Sequence, residues 1–216
     1  MQPVSFPVTH ELDGWDLFWV RLEGIPGKDG EIAALREAAS ERARLAFEPE
    51  SLSSHPTVAA LRGLFRAAGC DPTRYRPSSE ALLRRVLKGE DLPAIHPLVD
   101  FNNCFSVELA VPCCVVGEGS FTPPVVLRAG GAGEGYDSLR GPFNLEGKPL
   151  LADAEGPFGT PITDSQRVKV KEGTLRAWML AYLPSGVVSA EDAAKTLDGL
   201  LAEASVTRIE EVGVSR

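Results

Sequence analysis

Two adjacent asparagines, Asn102 and Asn103, stand in a largely apolar stretch of the chain, where their carboxamides could bind a small polar molecule or orient a water. Buried amides need hydrogen-bond partners, so a pair of them in an apolar environment is costly unless each binds something. The alternative is that both side chains bond to the neighbouring backbone. The pair is the first candidate for a binding site.

Arg128 is a second candidate, because its planar guanidinium can bind a carboxylate or a phosphate through two parallel hydrogen bonds. Glu134 or Asp100 would serve equally well as an internal partner, and the sequence leaves both alternatives open. No Ser-His-Asp or Cys-His arrangement can be argued from the spacing of the residues. The sequence therefore identifies no catalytic side chain.

A basic segment interrupts an otherwise acidic chain. The net charge of −8 argues against broad, sequence-independent binding to nucleic acids, DNA included. Between residues 62 and 88, however, seven basic residues face only Asp71 and Glu80, a local balance of +7 − 2 = +5. The basic residues are Arg62, Arg66, Arg74, Arg76, Arg84, Arg85 and Lys88. Such a patch could contact RNA, or it could be a solvated helix surface.

Helices, four in the first half of the chain and one near its end, are predicted around the asparagine pair and the basic segment. Apolar residues at helical spacing, bounded by caps, prolines and glycines, predict five helices. They are predicted over about eighteen residues from Asp29, from Pro56 to before Gly69, from Glu80 to Lys88, from Pro97 to Leu109, and from the capping box Ser189–Asp192 to about Ala204.

Strands dominate the second half, where short β-rich runs are separated by turns rich in glycine and proline. The predicted strands are residues 17–22, 113–116, 125–128, 168–170, 174–183 and 206–214. This order predicts the α+β class, with a small β-barrel or strongly bent sheet as the core and helices around it. We expect residues 1–54 to form a strand–helix extension packed on a domain spanning residues 55–216.

Composition excludes several classes of protein. No apolar run approaches the ~20 residues that span a bilayer, and the start lacks the layout of a signal peptide. We expect a cytoplasmic protein that associates with neither membranes nor DNA. The cysteines and histidines show no metal-binding spacing, so neither a metal nor a cofactor is expected. The adjacent Cys113 and Cys114 should be buried, reduced thiols.

A longer series of motifs resembles a known family. The motifs are Arg74-Tyr-Arg-Pro-Ser-Ser-Glu80, Val99-Asp100-Phe-Asn102-Asn103, Ser106, Pro112, Val126-Leu-Arg128-Ala129, Gly133-Glu134 and Leu151-Ala-Asp153. Their order and spacing resemble the B3/B4 module of the phenylalanyl-tRNA synthetase β chain, over roughly two thirds of this chain. The resemblance implies a small β-barrel decorated by helices. In the synthetase this module hydrolyses tyrosine wrongly attached to phenylalanine tRNA.

The resemblance also implies roles for particular residues. Asn102, Asn103 and Ser106 would lie on the helix that borders the amino-acid pocket, and the asparagines would hydrogen-bond the aminoacyl group or a water. The opposite wall would be formed by Phe158, Gly159 and Thr160. Arg128 would belong to the same substrate site, and Asp153 and Glu155 would fix a turn. The tRNA acceptor end would contact four arginines: Arg74, Arg76, Arg84 and Arg85.

Two departures from the family pattern bear on the substrate. Cys114 stands where the family often has histidine, and Leu180 falls near the glutamate that reads the tyrosine hydroxyl in the synthetase. An apolar site discriminates only modestly between side chains, so a substrate side chain smaller or less polar than that of tyrosine would fit better.

Three functions follow from the resemblance: an aminoacyl-tRNA deacylase acting in trans, a non-catalytic binder of an amino acid or small carboxylate, and a protein interaction module.

Overall fold

The computed structural model describes residues 6–216. Its helices and strands follow the chain in the order β1 (Val8–His10), β2 (Trp15–Gly24), α1 (Asp29–Ala46), α2 (Pro56–Ala67), α3 (Ser78–Leu87), α4 (Pro97–Leu109), β3 (Cys113–Gly117), β4 (Val125–Ala129), β5 (Gly135–Ser138), β6 (Gly141–Asn144), β7 (Pro149–Asp153), β8 (Gly156–Gly159), β9 (Arg176–Pro184), α5 (Ala190–Glu203) and β10 (Thr207–Ser215). Single turns of 3-10 helix lie at Leu52–Ser54 and Gln166–Val168.

The central sheet is antiparallel, with the strand order β10-β2-β9-β3, and both of its faces are covered. Successive side chains of a strand point to opposite faces, so an almost uninterrupted apolar run can fill two cores at once. Along β2, Phe18 and Val20 enter the core beneath the helices, whereas Leu17 and Trp19 enter the core on the other face. This alternation makes β2 the common wall of both cores.

Helices α1, α3, α4 and α5 cover one face of the central sheet. Helix α4 is buried along most of its length, as its apolar composition predicted. Asp100 stabilises the start of α4: it accepts hydrogen bonds from the backbone of Ile95 and His96, and Arg36 Nε lies 3.5 Å from its carboxylate. These contacts give Asp100 a structural role, and its partner is Arg36, not Arg128. None of the helices in residues 6–216 has the length and apolarity needed to cross a bilayer.

A second sheet, with the strand order β1-β4-β7-β8, covers the other face of the central sheet. Strands β1 and β4 are parallel and the remaining pairs are antiparallel. Leu127, Leu151 and Phe158 of this sheet share a core with Leu180 and Tyr182 of β9. The molecule thus has three layers, in the order helices, central sheet, second sheet, with the β5–β6 hairpin as an addition.

The α+β prediction is confirmed, and no sheet in residues 6–216 closes into a barrel. All five predicted helices are present; α3 begins two residues earlier than predicted. The strand predicted at residues 168–170 is wrong. Ser165 accepts a hydrogen bond from the backbone of Arg167 and starts a 3-10 turn there, and the Arg167 side chain is drawn to Asp153.

Five strands, β1 and β5 to β8, were not predicted. They are three to five residues long, and several contain glycine or proline, so they show no alternation of apolar and polar residues. The predicted boundary at residue 54 stays a prediction. Strand β2, which precedes it, is hydrogen-bonded on both sides to strands from the end of the chain.

Candidate functional site

The segment that follows β8 is a tight turn built around Thr160. The Thr160 hydroxyl donates to the Thr163 carbonyl at 2.7 Å and accepts from the backbone N–H groups of Ile162 and Thr163 at 3.2 and 3.0 Å. Ser165 N donates to the Phe158 carbonyl at 2.9 Å and closes the segment. These bonds hold the loop between residues 159 and 165 in one conformation.

Three polar side chains converge on Gly159, at the start of this loop. A Cβ atom at Gly159 would lie 3.4 Å from Asp164 Oδ1, 3.5 Å from Cys114 Sγ and 3.5 Å from the Tyr182 hydroxyl. The three side chains come from the loop, from β3 and from β9, and Cys114 Sγ is itself 4.0 Å from the Tyr182 hydroxyl. We call Gly159, Asp164, Cys114 and Tyr182 the Gly159 cluster.

Asp164 is the electrostatically unusual member of the Gly159 cluster. Its Oδ1 atom is buried and has no hydrogen-bond partner among residues 6–216. Burial raises the pKa of Asp164 from 3.8 to about 8, because a charged carboxylate loses its hydration there. A backbone hydrogen bond from Thr160 opposes this shift only partly. At neutral pH the group is therefore mostly protonated, unless a positive charge comes close.

The two adjacent cysteines face opposite sides of β3. Both thiols are free, as predicted; Cys114 is buried and Cys113 is half-buried. Burial raises the pKa of each thiol, and the Asp164 carboxylate raises it further. Only the thiolate is a strong nucleophile, so neither side chain is suited to attack an ester near neutral pH.

The predicted helix wall lies on the other side of β3 from the Gly159 cluster. Asn102, Asn103 and Ser106 are all buried in α4, within the helical layer. The Ser106 hydroxyl donates to the Val111 carbonyl at 2.7 Å. The carboxamide oxygen of Asn102 has no hydrogen-bond partner in the described residues. Gly159 and Thr160 are neighbours in the chain, whereas the asparagines lie on α4 in the layer of helices, on the opposite face of the central sheet from β8.

The remaining predicted wall residues are engaged within the chain. Arg128 donates two parallel hydrogen bonds to the Glu134 carboxylate, at 2.6 and 2.8 Å, so the internal partner that the sequence left open is present. Phe158 is fully buried and stacks on Phe121, with ring centroids 5.1 Å apart. These contacts give Arg128 and Phe158 a structural role.

Asp153 also acts on the scaffold, as predicted. Its carboxylate receives two hydrogen bonds from Arg167, at 2.9 and 3.0 Å, and one from the backbone of Glu155. Burial favours the protonated form, but these bonds prevail and lower the pKa of Asp153. The β7–β8 turn and the 3-10 turn at Gln166–Val168 are thereby joined on either side of Gly159.

The basic segment is organised around a buried carboxylate. Glu80, on α3, is completely buried, and three guanidinium groups approach it: Arg62 Nε at 2.9 Å, Arg84 Nε at 2.9 Å and Arg76 Nε at 3.4 Å. One negative charge is thus shared by three positive ones, which leaves a net positive surface. Arg76 and Arg84 remain partly exposed, so each can still offer N–H donors to solvent or to an anion.

Helix α3 is attached directly to the loop that carries the Gly159 cluster. The backbone N–H of Ser78, in the first turn of α3, donates to the Pro161 carbonyl at 2.9 Å. Pro161 lies two residues from Gly159 and three from Asp164. The arginine-bearing helix and the polar cluster are consequently neighbours through a single hydrogen bond.

A groove with a volume of about 1100 Å³ lies elsewhere, between α1, α4 and α5. It contains none of the residues predicted for the substrate site or for tRNA contact. At its rim Arg42 Nε donates to Glu108 at 2.6 Å, and the side chain of Leu45 is exposed. Size alone therefore does not identify the site, and the Gly159 cluster is the better candidate because its polar atoms converge.

Residues 60–203, which are 144 of the 216 residues, match the family model described as the B3/4 domain. The chain belongs to the B3/4 domain family. Among curated proteins, none matches it significantly. Among solved structures, the chain is similar to an N-terminal fragment of the phenylalanyl-tRNA synthetase β-subunit from Pyrococcus horikoshii, with 13% identity and a TM-score of 0.44. That match covers 93% of this chain and 50% of the fragment, so the chain spans about half of its length.

Asp164 and Tyr182 are the members of the Gly159 cluster that sequence reasoning missed. Asp164 follows Thr160 by four residues in a stretch with no periodic pattern, and Tyr182 occurs in an apolar strand where an aromatic residue is ordinarily part of the core. The family-level resemblance found in the sequence is confirmed. It pointed to Gly159 and Thr160 but gave no signal for the side chains that converge on them.

The raised pKa of Asp164 predicts a pH-dependent stability for this B3/4 domain. Between pH 3.8 and about 8 the unfolded chain has lost this proton while the folded chain keeps it, so stability falls as pH rises. The slope is at most ~1.4 kcal/mol per pH unit. We expect Asp164→Asn, which has no such proton, to gain stability relative to the wild type as pH rises through this window. Urea unfolding of both proteins across the window measures this, and a constant difference would contradict it.

Proposed function

We propose that this B3/4 domain hydrolyses the ester bond of mischarged aminoacyl-tRNA, acting in trans in the cytoplasm. The observation that carries the proposal is the hydrogen bond from Ser78 to Pro161, which joins the arginine-bearing helix α3 to the loop of the Gly159 cluster. A tRNA acceptor end needs both features side by side, because its phosphates are negative and its aminoacyl group is small and polar. Membership of the B3/4 family supports the same assignment.

Water is the nucleophile in this proposal. Cys113 and Cys114 are held protonated by burial, so catalysis depends on positioning the ester and a water molecule. Backbone amides near Gly159 would stabilise the developing oxyanion. The water oxygen bonds to the carbonyl carbon and the ribose oxygen leaves with a proton. The products are the free amino acid and uncharged tRNA.

The substrate side chain would be smaller or less polar than that of tyrosine. Leu180 pairs directly with Cys114, a member of the Gly159 cluster, across the β3–β9 ladder, and both side chains are buried. Neither offers a carboxylate that could select a phenolic hydroxyl. A pocket without such a partner discriminates mainly by size, and by modest factors.

Arg74→Ala is expected to weaken tRNA binding about fivefold, or ~1 kcal/mol. Arg74 is exposed and lies over the Tyr75 ring, 5.1 Å from its centroid, so its loss removes a positive charge without disturbing the Glu80 group. The slope of log affinity against log salt should fall by ~1, since one phosphate contact is lost. Fluorescence anisotropy with labelled tRNA over a salt series measures both quantities.

Arg208→Ala is the matched control for this experiment. Arg208 is 72% exposed on β10, away from α3, and its loss changes the net charge by the same amount. We expect its affinity for tRNA to equal that of the wild type. Equal weakening by the two variants would indicate a general charge effect and would remove the basic segment at residues 62–88 as the tRNA-binding surface.

The activity itself is tested with a panel of mischarged tRNAs, by following loss of the labelled amino acid from each. Deacylation of at least one pair, faster than the spontaneous rate, supports the proposal. Retention of every amino acid on its tRNA would refute it.

A second function, binding of a free amino acid without catalysis, is favoured by one observation: Glu80 neutralises part of the arginine surface. Amino-acid binding without affinity for tRNA would support that function.

A further inference from the structure

The surroundings of the Asp164 carboxylate are suited to binding a positively charged group. Its Oδ1 atom is buried and unbonded within residues 6–216, and it points at the bare face of Gly159. The other groups at this point, Cys114 and Tyr182, are neutral. A carboxyl group with one oxygen buried, unbonded and without a counter-charge is costly and persists only where something compensates for it.

The loop geometry fixes Asp164 in this position. Thr160 holds the turn through three hydrogen bonds, and the Asp164 carbonyl accepts from the backbone of Leu139 at 3.0 Å. The backbone before Asp164 is therefore fixed by the Thr160 turn, and the Asp164 carbonyl is fixed by its hydrogen bond to Leu139. A preformed site of this kind binds without first ordering the loop.

We propose that Asp164 binds the ammonium group of an aminoacyl ligand, which lies against Gly159. This deepens the proposed function and rests on it, because it takes the ligand to be an amino acid esterified to tRNA or its free equivalent. A glycine at this position lets the ligand approach the backbone, since no Cβ intervenes. A hydrogen bond between an ammonium group and a carboxylate is among the stronger polar contacts available in a protein.

Recognition of an ammonium group would make binding depend on pH. Asp164 must lose its proton to pair with a cation, so affinity should rise about tenfold per pH unit up to about pH 8. The titratable groups that act electrostatically with Asp164 are Cys113 and Cys114 of β3, Tyr136 of β5 and Tyr182 of β9. Burial raises the pKa of all four, so they stay neutral over this range and leave Asp164 as the group that titrates.

The probes are the amides of the twenty amino acids, which keep the ammonium group and the acyl carbonyl but cannot be hydrolysed as esters. Thermal shift identifies the amides that bind, and calorimetry then compares the best one with its counterpart lacking the amino group. We expect the wild type to bind the amide at least tenfold more tightly than the deaminated compound. We also expect Asp164→Asn to lose this preference.

Asp198→Asn, on the exposed face of α5, is the matched control and should bind as the wild type does. Should Asp164→Asn fail to fold, the comparison of the two compounds and the pH series on the wild type decide the matter without it. The inference is overturned if no amide binds, if the deaminated compound binds equally well, or if Asp164→Asn retains the preference.

Failure of this inference and failure of the proposed function give different results. Deacylation of tRNA by a protein that does not distinguish the amide from its deaminated counterpart would leave the proposed function and remove the role of Asp164. Amide binding that depends on Asp164, without deacylation of any tRNA, would leave the ammonium site and remove the hydrolase. In that case the free amino acid is the ligand.

Discussion

Replacing Glu80 with glutamine is expected to lower the free energy of unfolding by about 3–5 kcal/mol. The Glu80 carboxylate is fully buried and accepts hydrogen bonds from Arg62 at 2.9 and 3.3 Å and from Arg84 at 2.9 Å. Glutamine has the same shape but no charge, and its amide NH₂ would face N–H donors. Three guanidinium groups would then repel one another around a site without a counter-charge.

Urea unfolding followed by tryptophan fluorescence measures this effect, because all three tryptophans lie in the core between the two sheets. Glu90→Gln is the matched control. Glu90 pairs with Arg85 at 2.9 Å on the same surface, but its side chain is 52% exposed, so we expect a change of less than ~1 kcal/mol. A loss at Glu80 as small as that at Glu90 would show that the arginines do not depend on the buried carboxylate.

Replacing Gly159 with alanine is expected to leave the fold intact and to weaken binding of an aminoacyl ligand by about 10- to 100-fold. The new methyl group would contact Asp164, Cys114 and Tyr182 at 3.4 to 3.5 Å, which is ordinary van der Waals distance. Gly159 does not have a positive φ, so alanine can adopt its backbone conformation. The methyl would occupy the space in which we place the ammonium group of the ligand.

Calorimetry with the best-binding amino-acid amide gives the affinity, and urea unfolding gives the stability of the same variant. Gly199→Ala is the control: Gly199 lies on the exposed side of α5 with nothing within 4 Å of an added Cβ, so both quantities should be preserved. Unchanged affinity in Gly159→Ala, together with unchanged stability, would place the ligand away from the Gly159 cluster.

Glu80 and its arginines are physically joined to the loop of the Gly159 cluster. Glu80, on α3, holds Arg62, Arg76 and Arg84. The first turn of α3 is hydrogen-bonded to Pro161, next to Thr160. A change that loosens α3 should therefore also loosen the loop of the Gly159 cluster. For the proposed deacylase, this connection would fix the distance between the phosphates of the acceptor end and the amino acid that it carries.

The helices were predictable because their signals are local. Pro97 in the first turn of α4 and the Ser189–Asp192 capping box of α5 act within a single turn of backbone, so sequence alone specifies them. The buried character of α4 followed from its composition in the same way. The short strands β5 to β8 were not predictable, since they are only four or five residues long and their own residues show no alternation.

The sequence by itself determined the α+β class, the helices and the B3/4 family, since local propensity and the order of motifs carry that information along the chain. Only the tertiary structure decided which polar groups meet. It paired Arg128 with Glu134, gathered three arginines around Glu80, and placed Asp164 beside Gly159 and Tyr182. Asp164 and Tyr182 meet at Gly159 only through the packing of a loop against a strand. Arg128 and Glu134 lie six residues apart and Glu80 lies four residues from Arg76 and Arg84, so the sequence allowed these contacts but did not select them among the alternatives.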